Sequence, residues 1–298
     1  MVEDIKMMVR KARLRRLWSD VVEFWRLYKQ SRSGLIGLGI ILFFVAIAIL
    51  APYISPYDPY AIVGTPFEAP SSKHILGTDD SGKDVFSQVI YGTQTSLAIG
   101  FLAALSITAI GIAVGVIAGY FGGIVDIILI GLIDIILVLP ALPLMIVLAA
   151  YLGPSIWNIV LVITIVGWAG TARIIRSQVL SLKEFPFIEA ARAVGSSPAR
   201  IIVKHILPNI LPLALANMIL QIPRAIVIEA GLSFLGLGDP THVSWGMILY
   251  FAQNFGGFSR GCWWWIIPPG VSIVVASSAF IFVGQALDAI VNPRLRKI

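Results

Sequence analysis

Six long apolar stretches constrain this chain more than any other feature of its sequence. They run over approximately residues 34–54, 95–120, 124–150, 156–176, 210–236 and 266–288. A helix needs about 20 mainly apolar residues to cross the hydrocarbon core of a bilayer, because it rises only about 1.5 Å per residue. The stretches therefore predict an all-α integral membrane protein with six transmembrane helices.

The composition agrees with a membrane protein, and the cysteine and histidine residues show no pattern that would hold a metal. Of the 298 residues, 58% are hydrophobic and 13% are charged, whereas soluble domains carry about 25% charged residues. The single cysteine, Cys262, excludes an internal disulfide framework, and the three histidines lack metal-ligand spacing. We expect no cofactor or metal in this chain, and an uncleaved first span behind the basic stretch of residues 1–33.

Lysine and arginine are distributed unevenly around the spans. Nine lie in the basic N-terminal tail (1–33), six between the fourth and fifth spans, and three in the C-terminal tail (289–298), whereas the opposite side has Lys73, Lys83 and Arg260. Cytoplasmic loops are enriched in these residues, so both tails are predicted to be cytoplasmic and residues 55–94 to form an outer loop. This distribution argues against nucleic-acid binding despite the net charge of +6.

The N-terminal tail also predicts a contact with membrane lipid. Its apolar residues recur at roughly helical spacing, which is typical of an amphipathic helix on the anionic inner leaflet: Val9, Leu14, Leu17, Trp18 and Val21. An alternative is that the tail contacts a partner protein.

Small residues and prolines predict how two of the spans pack. Glycines in the second span recur every fourth residue and predict one close helix–helix seam: Gly111, Gly115, Gly119 and Gly123. Pro140 and Pro143 should bend the outer half of the third span.

Polar residues within the spans are candidates for a translocation path. A charge at the helix centre costs about 2.5–3.5 kcal/mol on insertion scales, so such groups face protein or water. Asn217, Gln221 and Arg224 share one helix face at steps of four and three residues. The full candidate set is Asp126, Asp134, Asn217, Gln221, Arg224 and Glu229. The alternative is that they only bridge neighbouring helices.

Two short motifs imitate catalytic sites. Residues 77–83 match the start of a phosphate-binding P-loop, but Asp84 stands where Ser or Thr would hold magnesium. Residues 236–239 match the GxGD pattern of intramembrane aspartyl proteases, which also need a second, facing carboxylate. We expect neither motif to be catalytic.

The segment at residues 184–208, between the fourth and fifth spans, has the pattern of two short helices joined by a glycine turn. The first helix precedes Gly195, and the second, amphipathic helix begins near Pro198 and ends at Pro208. Two such helices outside the membrane would form a rigid knob that docks into a partner. From general physics alone, an ordinary connecting loop is equally acceptable.

This segment resembles the EAA loop of ABC importer permeases. Six residues match that pattern in register: Glu189, Ala190, Ala191, Gly195, Leu207 and Pro208. His205 stands where the family has an apolar residue. The resemblance implies that these residues couple the membrane helices to a separate ATP-hydrolysing subunit.

Further motifs narrow the resemblance to the dipeptide/oligopeptide (and nickel) importer family, second-subunit branch. They lie at residues 51–52, 56–59, 74–79, 82–87, 90–92, 231–238, 244–246 and 263–265. The resemblance implies a type I ABC importer permease fold, with residues 95–288 as the five-helix core after a first helix at 34–54. One departure is Gly131, where the family often has an arginine, so the partner of Asp134 is unknown.

The same resemblance implies the partners and leaves the cargo open. Expected partners are a homologous permease of the DppB/OppB type, two ABC ATPase subunits that bind ATP and magnesium, and an extracytoplasmic solute-binding protein. The chain itself is expected to be non-catalytic, in the cell membrane. Di- or oligopeptides are the first cargo hypothesis, and nickel or oligosaccharides the alternative. A self-sufficient secondary transporter would need internal inverted repeats, which the sequence lacks.

Overall fold

The computed structural model describes residues 22–23 and 25–291, and every regular element in this part of the chain is helical. The predicted lipid-binding helix of the N-terminal tail and most of the C-terminal tail lie outside the described residues. After a helical turn at residues 25–28, the helices are α1 (Arg32–Ile54), α2 (Val85–Phe121), α3 (Gly123–Val138), α4 (Ala141–Leu152), α5 (Ile156–Leu182), α6 (Pro186–Ala193), α7 (Pro198–Ile201), α8 (Leu207–Leu232), α9 (Trp245–Asn254) and α10 (Trp263–Val291).

Five helical segments of the described chain are long and apolar enough to cross a bilayer: α1, α2, α5, the continuous helix Pro198–Leu237 and α10. Helices α3 and α4 make a sixth span when they are counted as one broken helix. Five of the six predicted spans are therefore confirmed as long apolar helices, and the predicted third span corresponds to the bent pair α3 and α4. Their apolar outer faces remain exposed, as for Phe43 and Ile49 of α1, which suits a lipid environment.

The limits of the second and fourth spans differ from the sequence-based expectation. Helix α2 begins at Val85, whereas the predicted span begins at residue 95. The earlier start follows because Asp84 caps the helix by accepting a hydrogen bond from the Ser87 amide at 2.8 Å. Helix α5 continues to Leu182, so Arg173 and Arg176 lie within a span and not in the loop that follows. The charge asymmetry is smaller than counted but keeps its direction.

The third span is broken rather than gently bent. Helix α3 ends at Val138, helix α4 starts at Ala141, and the two axes differ by 91°. Pro140 stands between them as the N-cap, where it cannot donate a backbone hydrogen bond to the preceding turn. The prediction of a proline bend is thus confirmed in a sharper form, and a helix end lies at membrane depth.

The predicted glycine seam joins α2 to α5, and three of its four members take part. A Cβ atom added to Gly115 would lie 2.6 Å from the Ala172 carbonyl oxygen and 2.8 Å from the Ile175 Cβ. Gly111 and Gly119 meet the same helix in the same way. Gly123 does not belong to the seam: it begins α3 with a positive φ of 54° and open space around it. The backbones of α2 and α5 therefore touch along just over two turns.

The other spans assemble around this pair. Helix α8 packs against α2 and α10, and α1 lies against α10. Gly37 of α1 sits against the Ala279 carbonyl of α10, so this contact also depends on a small residue. The largest buried cluster lies where α1, α2, α8, α9 and α10 meet, around Trp245 and Trp265.

The outer loop is an ordered cap built around a buried hydrogen bond between His74 and Asp84. His74 and Asp84 are both fully buried, and Nδ1 of the histidine lies 3.0 Å from the carboxylate. Hydrogen bonds from the Val63 and Gly64 amides to the Gly82 carbonyl close the loop on itself. The predicted outer segment therefore ends at Asp84, where α2 begins, and not at residue 94.

We expect Gly115→Val to destabilise the protein, because the seam has no room for a side chain between α2 and α5. Overpacking of this kind costs about 1–3 kcal/mol or more where backbone atoms obstruct the new group. The matched control is Gly131→Val on α3, where a Cβ meets nothing within 4 Å. Thermal unfolding of the detergent-purified proteins should show a clear fall for Gly115→Val alone. Equal midpoints for the two variants would contradict a tight seam.

Candidate functional site

The segment between the fourth and fifth spans forms a short helix, α6, that is fastened by one face. Ile188 is fully buried and Ala191 nearly so, in a cluster with Val116 of α2, Val179 of α5 and Ile210 of α8. Glu189 and Ala190, on the other face, are exposed. The first helix of the predicted knob is therefore confirmed as a structure, and it contacts three spans while leaving its acidic face open.

Gly195 ends α6 in the conformation that its sequence position predicts. Its φ is +76°, and two hydrogen bonds close the helix end: Gly195 N–H donates to the Arg192 carbonyl and Ser196 N–H to the Ala191 carbonyl. This is the Schellman arrangement, which needs a residue in the left-handed region at this position. A Cβ at Gly195 would meet nothing within 4 Å, so the requirement for glycine comes from the backbone and not from crowding.

The second helix of the knob differs from the prediction. Ser197 caps α7 as expected, by accepting a hydrogen bond from the Arg200 amide. The helix does not end at Pro208, however, because a π-helical turn at Ile202–Ile206 leads directly into α8. Pro208 is tolerated because it lies in the first turn of α8. Leu207 and Pro208 thus belong to a helix that continues from the knob to the far side of the protein.

The exposed surface of the knob is partly apolar and aromatic. Phe185 and Phe187 stack with their ring centroids 5.8 Å apart, and each is more than 40% exposed. Val194 and Val203 are exposed at 80% and 64%. Arg192 lies over the Tyr120 ring at 5.5 Å, which adds a further tie to α2. Exposed apolar side chains beside the polar face of Glu189 are typical of a surface that a partner covers.

Two of the candidate path residues form ion pairs between α3 and α5. Asp126 accepts two hydrogen bonds from Arg176, from Nε and from Nη2, both 2.6 Å long. Asp134 accepts a hydrogen bond from Nη2 of Arg173. The partner that the sequence left unknown for Asp134 is therefore an arginine on the neighbouring span, which takes the place of a cation on its own helix. Both aspartates hold the broken span against α5.

Three other candidates meet at one cavity. Asn217, Gln221 and Arg224 line a space of about 810 Å³ between α4, α5, α8 and α10. Thr171 of α5 donates a hydrogen bond to Asn217 Oδ1 at 2.9 Å and accepts one from Gln221 Nε2 at 3.3 Å. The prediction that Asn217, Gln221 and Arg224 share one helix face is thus confirmed. That cargo passes here stays a prediction.

Glu229 lies apart from that cavity in a cluster of hydroxyl groups. Its carboxylate accepts hydrogen bonds from Ser244 at 2.7 Å, Ser233 at 2.8 Å and Ser96 at 3.4 Å. Ser96 Oγ also accepts from the Trp245 amide, and Ser244 caps α9. The cluster ties α2, α8 and α9 together. The sequence did not connect Glu229 with Ser96 or Ser244, which lie 133 and 15 residues away and share no period with it, whereas Ser233 lies one helical turn from it.

A second, smaller cavity of about 200 Å³ opens at the predicted outer face. Asp80, Lys83, His242 and Phe255 are among its lining residues. Burial, and then the neighbouring charge of Asp79, raise the pKa of Asp80. Partial burial alone would raise the pKa of Asp239 nearby, but hydrogen bonds from Thr241, His242 and the Ile156 amide lower it overall.

In neither of the two motifs does the geometry match the catalytic site that the motif imitates. In the P-loop-like segment, the Ser81 and Lys83 amides donate to Asp79 Oδ1 at 2.8 and 2.9 Å, so they point at the protein's own carboxylate and not at a phosphate site. Asp239 of the GxGD-like segment is engaged by Thr241 and His242 in a turn. Among the described residues, no group of three or more His, Cys, Asp or Glu could hold a metal ion.

Two protein-family models match the chain. The model described as "Binding-protein-dependent transport system inner membrane component" matches residues 111–297. The model "N-terminal TM domain of oligopeptide transport permease C" matches residues 17–71. Residues 72–110, which are the end of the outer loop and most of α2, lie between the two matches.

Similar proteins include several bacterial permeases. The dipeptide transport system permease protein DppC of Bacillus subtilis is 36% identical over 275 residues, which are 92% of this chain and 85% of the relative. DppC of Haemophilus influenzae is 37% identical, with 92% and 95% covered. The oligopeptide transport system permease protein OppC of Bacillus subtilis is 35% identical, with 94% and 91% covered.

Among solved structures, the methionine ABC transporter MetNI in inward-facing conformations contains a similar chain. The TM-score is 0.55 at 20% sequence identity, and the likeness covers 69% of this chain and 96% of the other. At 20% identity the likeness shows the fold alone, and that fold is the type I importer fold.

We expect Glu229→Ala to destabilise the protein markedly, since it would leave three buried hydroxyl groups without their acceptor. Each buried polar group that loses its partner costs about 1–3 kcal/mol. Glu229→Gln keeps the shape and one acceptor oxygen and should cost less. Glu184→Ala, at an exposed glutamate, serves as the control and should change little. Unfolding midpoints in detergent that are the same for Glu229→Ala and Glu184→Ala would contradict the structural role.

Proposed function

Because this chain belongs to the family of binding-protein-dependent transport system inner membrane components, we propose how it serves as the permease subunit of an ABC importer. The chain is a multi-pass membrane protein, and its membership in this family sets aside the alternative of a self-sufficient secondary transporter. What we propose concerns its partners, its orientation, its cargo and the residues that couple it to ATP hydrolysis.

The knob at α6 and α7 is the proposed docking site of an ATPase subunit. The observation that carries this proposal is that α6 buries one face in the core formed with α2, α5 and α8, and exposes the other. Glu189 and Ala190, with the stacked pair Phe185 and Phe187, form the surface that would enter a cleft of the ATPase. We therefore assign the six residues of the EAA pattern to coupling. Each of them either contacts the ATPase subunit or acts on that contact through the turn at Gly195.

Mechanical coupling follows from the continuity of the helix behind the knob. A push on α7 is passed through the π-helical turn to α8, which carries Asn217, Gln221 and Arg224 at the large cavity. The buried side chains Ile188, Ile201 and Ile206 pass the same push to α2 and α5. Closure of the ATPases around ATP and magnesium would therefore shift the cavity between inward-open and outward-open states, while this chain performs no chemistry itself.

A second permease is the proposed neighbour of the broken span. Asp134 and Arg173 keep about half of their side-chain surface exposed, at 51% and 58%, although they lie at membrane depth. A charged pair facing lipid is costly, so this surface is better explained if it faces a homologous subunit or a water-filled path between the two. Relatives of this chain are named as single permease proteins of transport systems, which suits such an assembly.

The outer cap is the proposed contact surface for a solute-binding protein. It is ordered by the buried pair His74 and Asp84, and it carries the open cavity beside Asp80 and His242. The excess of lysine and arginine on the side of the knob supports a cell-membrane orientation with both termini in the cytoplasm, and therefore with this cap outside.

Di- or oligopeptides are the proposed cargo. The support is that relatives at 35–37% identity over nine-tenths of the chain are named as dipeptide or oligopeptide permeases. Nickel or oligosaccharides remain the alternative cargo of the same machinery, because the binding protein selects what is delivered. Identification of that protein's bound ligand separates these alternatives.

We expect Gly195→Val to reduce the stimulation of ATPase activity by cargo-loaded binding protein. Valine is strained in the left-handed conformation that closes α6, so the docking surface should shift. Gly123→Val is the matched control, because Gly123 also has a positive φ, lies in open space and belongs to no part of the knob. Unchanged stimulation in Gly195→Val, with both variants inserted normally, would count against the coupling role.

The assembly itself is tested by purification of the tagged chain in mild detergent. We expect a second permease and ATPase subunits to co-purify, and the Gly195→Val variant to lose ATPase subunits while it keeps the permease. Recovery of the chain alone, with full retention of transport driven by an ion gradient, would overturn the proposal.

A further inference from the structure

Three arginines lie well inside the membrane-spanning helices described here, and one of them differs from the others. Arg173 and Arg176 are each paired with an aspartate of the broken span, Asp134 and Asp126. Arg224 of α8 has no carboxylate within 4 Å and makes no hydrogen bond through its guanidinium to any described residue. The protein therefore neutralises two of these cations and leaves the third open.

Arg224 stands far from both ends of its helix. It lies 17 residues after Leu207 and 11 residues before Leu235, the last residue ahead of the helix break at Gly236, or about 26 Å and 17 Å along the axis. A cation at such depth is costly and normally marks an ion or substrate pathway or a partner of opposite charge. Its position in the membrane therefore calls for a negatively charged group, which no described residue supplies.

The space around Arg224 has the character of a site for an anion. It lines the cavity of about 810 Å³ and also an adjoining one of about 210 Å³. The lining residues of both cavities include no carboxylate and no other charged side chain. The polar groups beside it are the amides of Asn217 and Gln221 and the hydroxyl of Ser277, and the rest of the surface is mainly apolar.

The break in the third span adds a second source of positive potential at the same place. Ala141 and Leu142, the first residues of α4, line these cavities together with Arg224. The N-cap, Pro140, offers no side chain to the amides of the first turn. A half-helix whose N-terminus faces a cavity at membrane depth favours an anionic group, and the amides free to donate here are those of Ala141 and Leu142, because Pro143 has no N–H and the Leu144 N–H donates to the Pro140 carbonyl.

We propose that Arg224 binds the carboxylate of an anionic cargo, which for a peptide is its C-terminal carboxylate, as the cargo crosses the large cavity. The guanidinium can donate two parallel hydrogen bonds to such a group, while the apolar walls accept the side chains. This inference rests on the proposed transport of peptides and names the part of the peptide that the permease itself recognises. A bare divalent cation such as nickel would be repelled here, and a neutral sugar would gain nothing from the charge.

The test compares two cargoes in the reconstituted complete transporter with its binding protein. One is a dipeptide with a free C-terminal carboxylate, and the other is the same dipeptide with a C-terminal amide. Uptake is measured for the unchanged protein, Arg224→Gln, Arg224→Lys and the control Arg26→Gln, which removes one charge from an exposed site outside the spans. The preference of the binding protein is the same in every case, so it cancels when the acid-to-amide uptake ratios are compared.

We expect Arg224→Gln to lower the acid-to-amide ratio about tenfold, which is the effect of losing a charged hydrogen-bond partner. Arg224→Lys should retain most of the preference, because it keeps the cation, and it serves as the test if the glutamine variant does not insert. Arg26→Gln should leave the ratio unchanged.

Three outcomes would overturn the inference in different ways. If Arg224→Gln lowers the uptake of acid and amide equally, Arg224 does not recognise the carboxylate, although peptide transport stands. If Arg224→Gln loses the second permease during purification, the cation pairs with a carboxylate of that subunit and not with cargo. If the unchanged transporter carries neither dipeptide, the proposed peptide cargo fails and the inference fails with it.

Discussion

The close contact between α2 and α5 supports every other feature of the structure. Gly111, Gly115 and Gly119 let the two backbones touch, in a bilayer where the hydrophobic effect does not drive helices together. This contact fixes the face of α5 that carries Arg173 and Arg176, and so decides where the broken span can attach. It also fixes the positions of Val179 and Leu182, against which α6 packs. The seam therefore links the broken span to the coupling knob.

Polar groups at membrane depth are handled in three distinct ways. Asp126 and Asp134 neutralise arginines of a neighbouring helix, so they contribute to the assembly of the spans. Glu229 is satisfied by three serine hydroxyls and joins the outer helix α9 to the spans. Arg224 lines the large cavity without a hydrogen-bond partner among the described residues, beside Asn217 and Gln221, which are both hydrogen-bonded to Thr171. Since the first two arrangements satisfy their groups within the chain, the third is the one with capacity left for a ligand.

The continuity of the helix from Pro198 to Leu237 relates the two ends of the proposed mechanism. Its first turn belongs to the knob, its middle carries the cavity-lining residues and its last turns carry Glu229. In the proposed mechanism, this helix connects the docking knob to the large cavity and to the outer helix α9. The π-helical turn at Ile202–Ile206 lies where the knob meets the span, and such turns are frequent at functional sites.

The sequence alone determined the features that depend on local patterns. Runs of apolar residues predicted the six spans, glycines at every fourth position predicted the seam, Pro140 predicted the bend, and Gly195 with Ser197 predicted the turn between the loop helices. These succeed because hydrophobic length, helix periodicity and the φ restriction of each residue act within a few turns of the chain. The match of Glu189–Ala191 and Gly195 to a family pattern is the basis of the proposed coupling role, which local physics left undecided.

Only the tertiary structure decided which polar groups share a neighbour. Asp134 finds Arg173 and Glu229 finds Ser96 and Ser244 across 15 to 133 residues of sequence, and no local period relates such positions. The continuation of the loop helix through Pro208 into α8 likewise depends on packing that holds a π-helical turn in place of a chain break. Gly123 has the spacing of the seam glycines but takes no part in the seam, because the chain turns there. Partner choice in a membrane protein is a property of which helix faces meet, and that is settled by packing over the whole bundle.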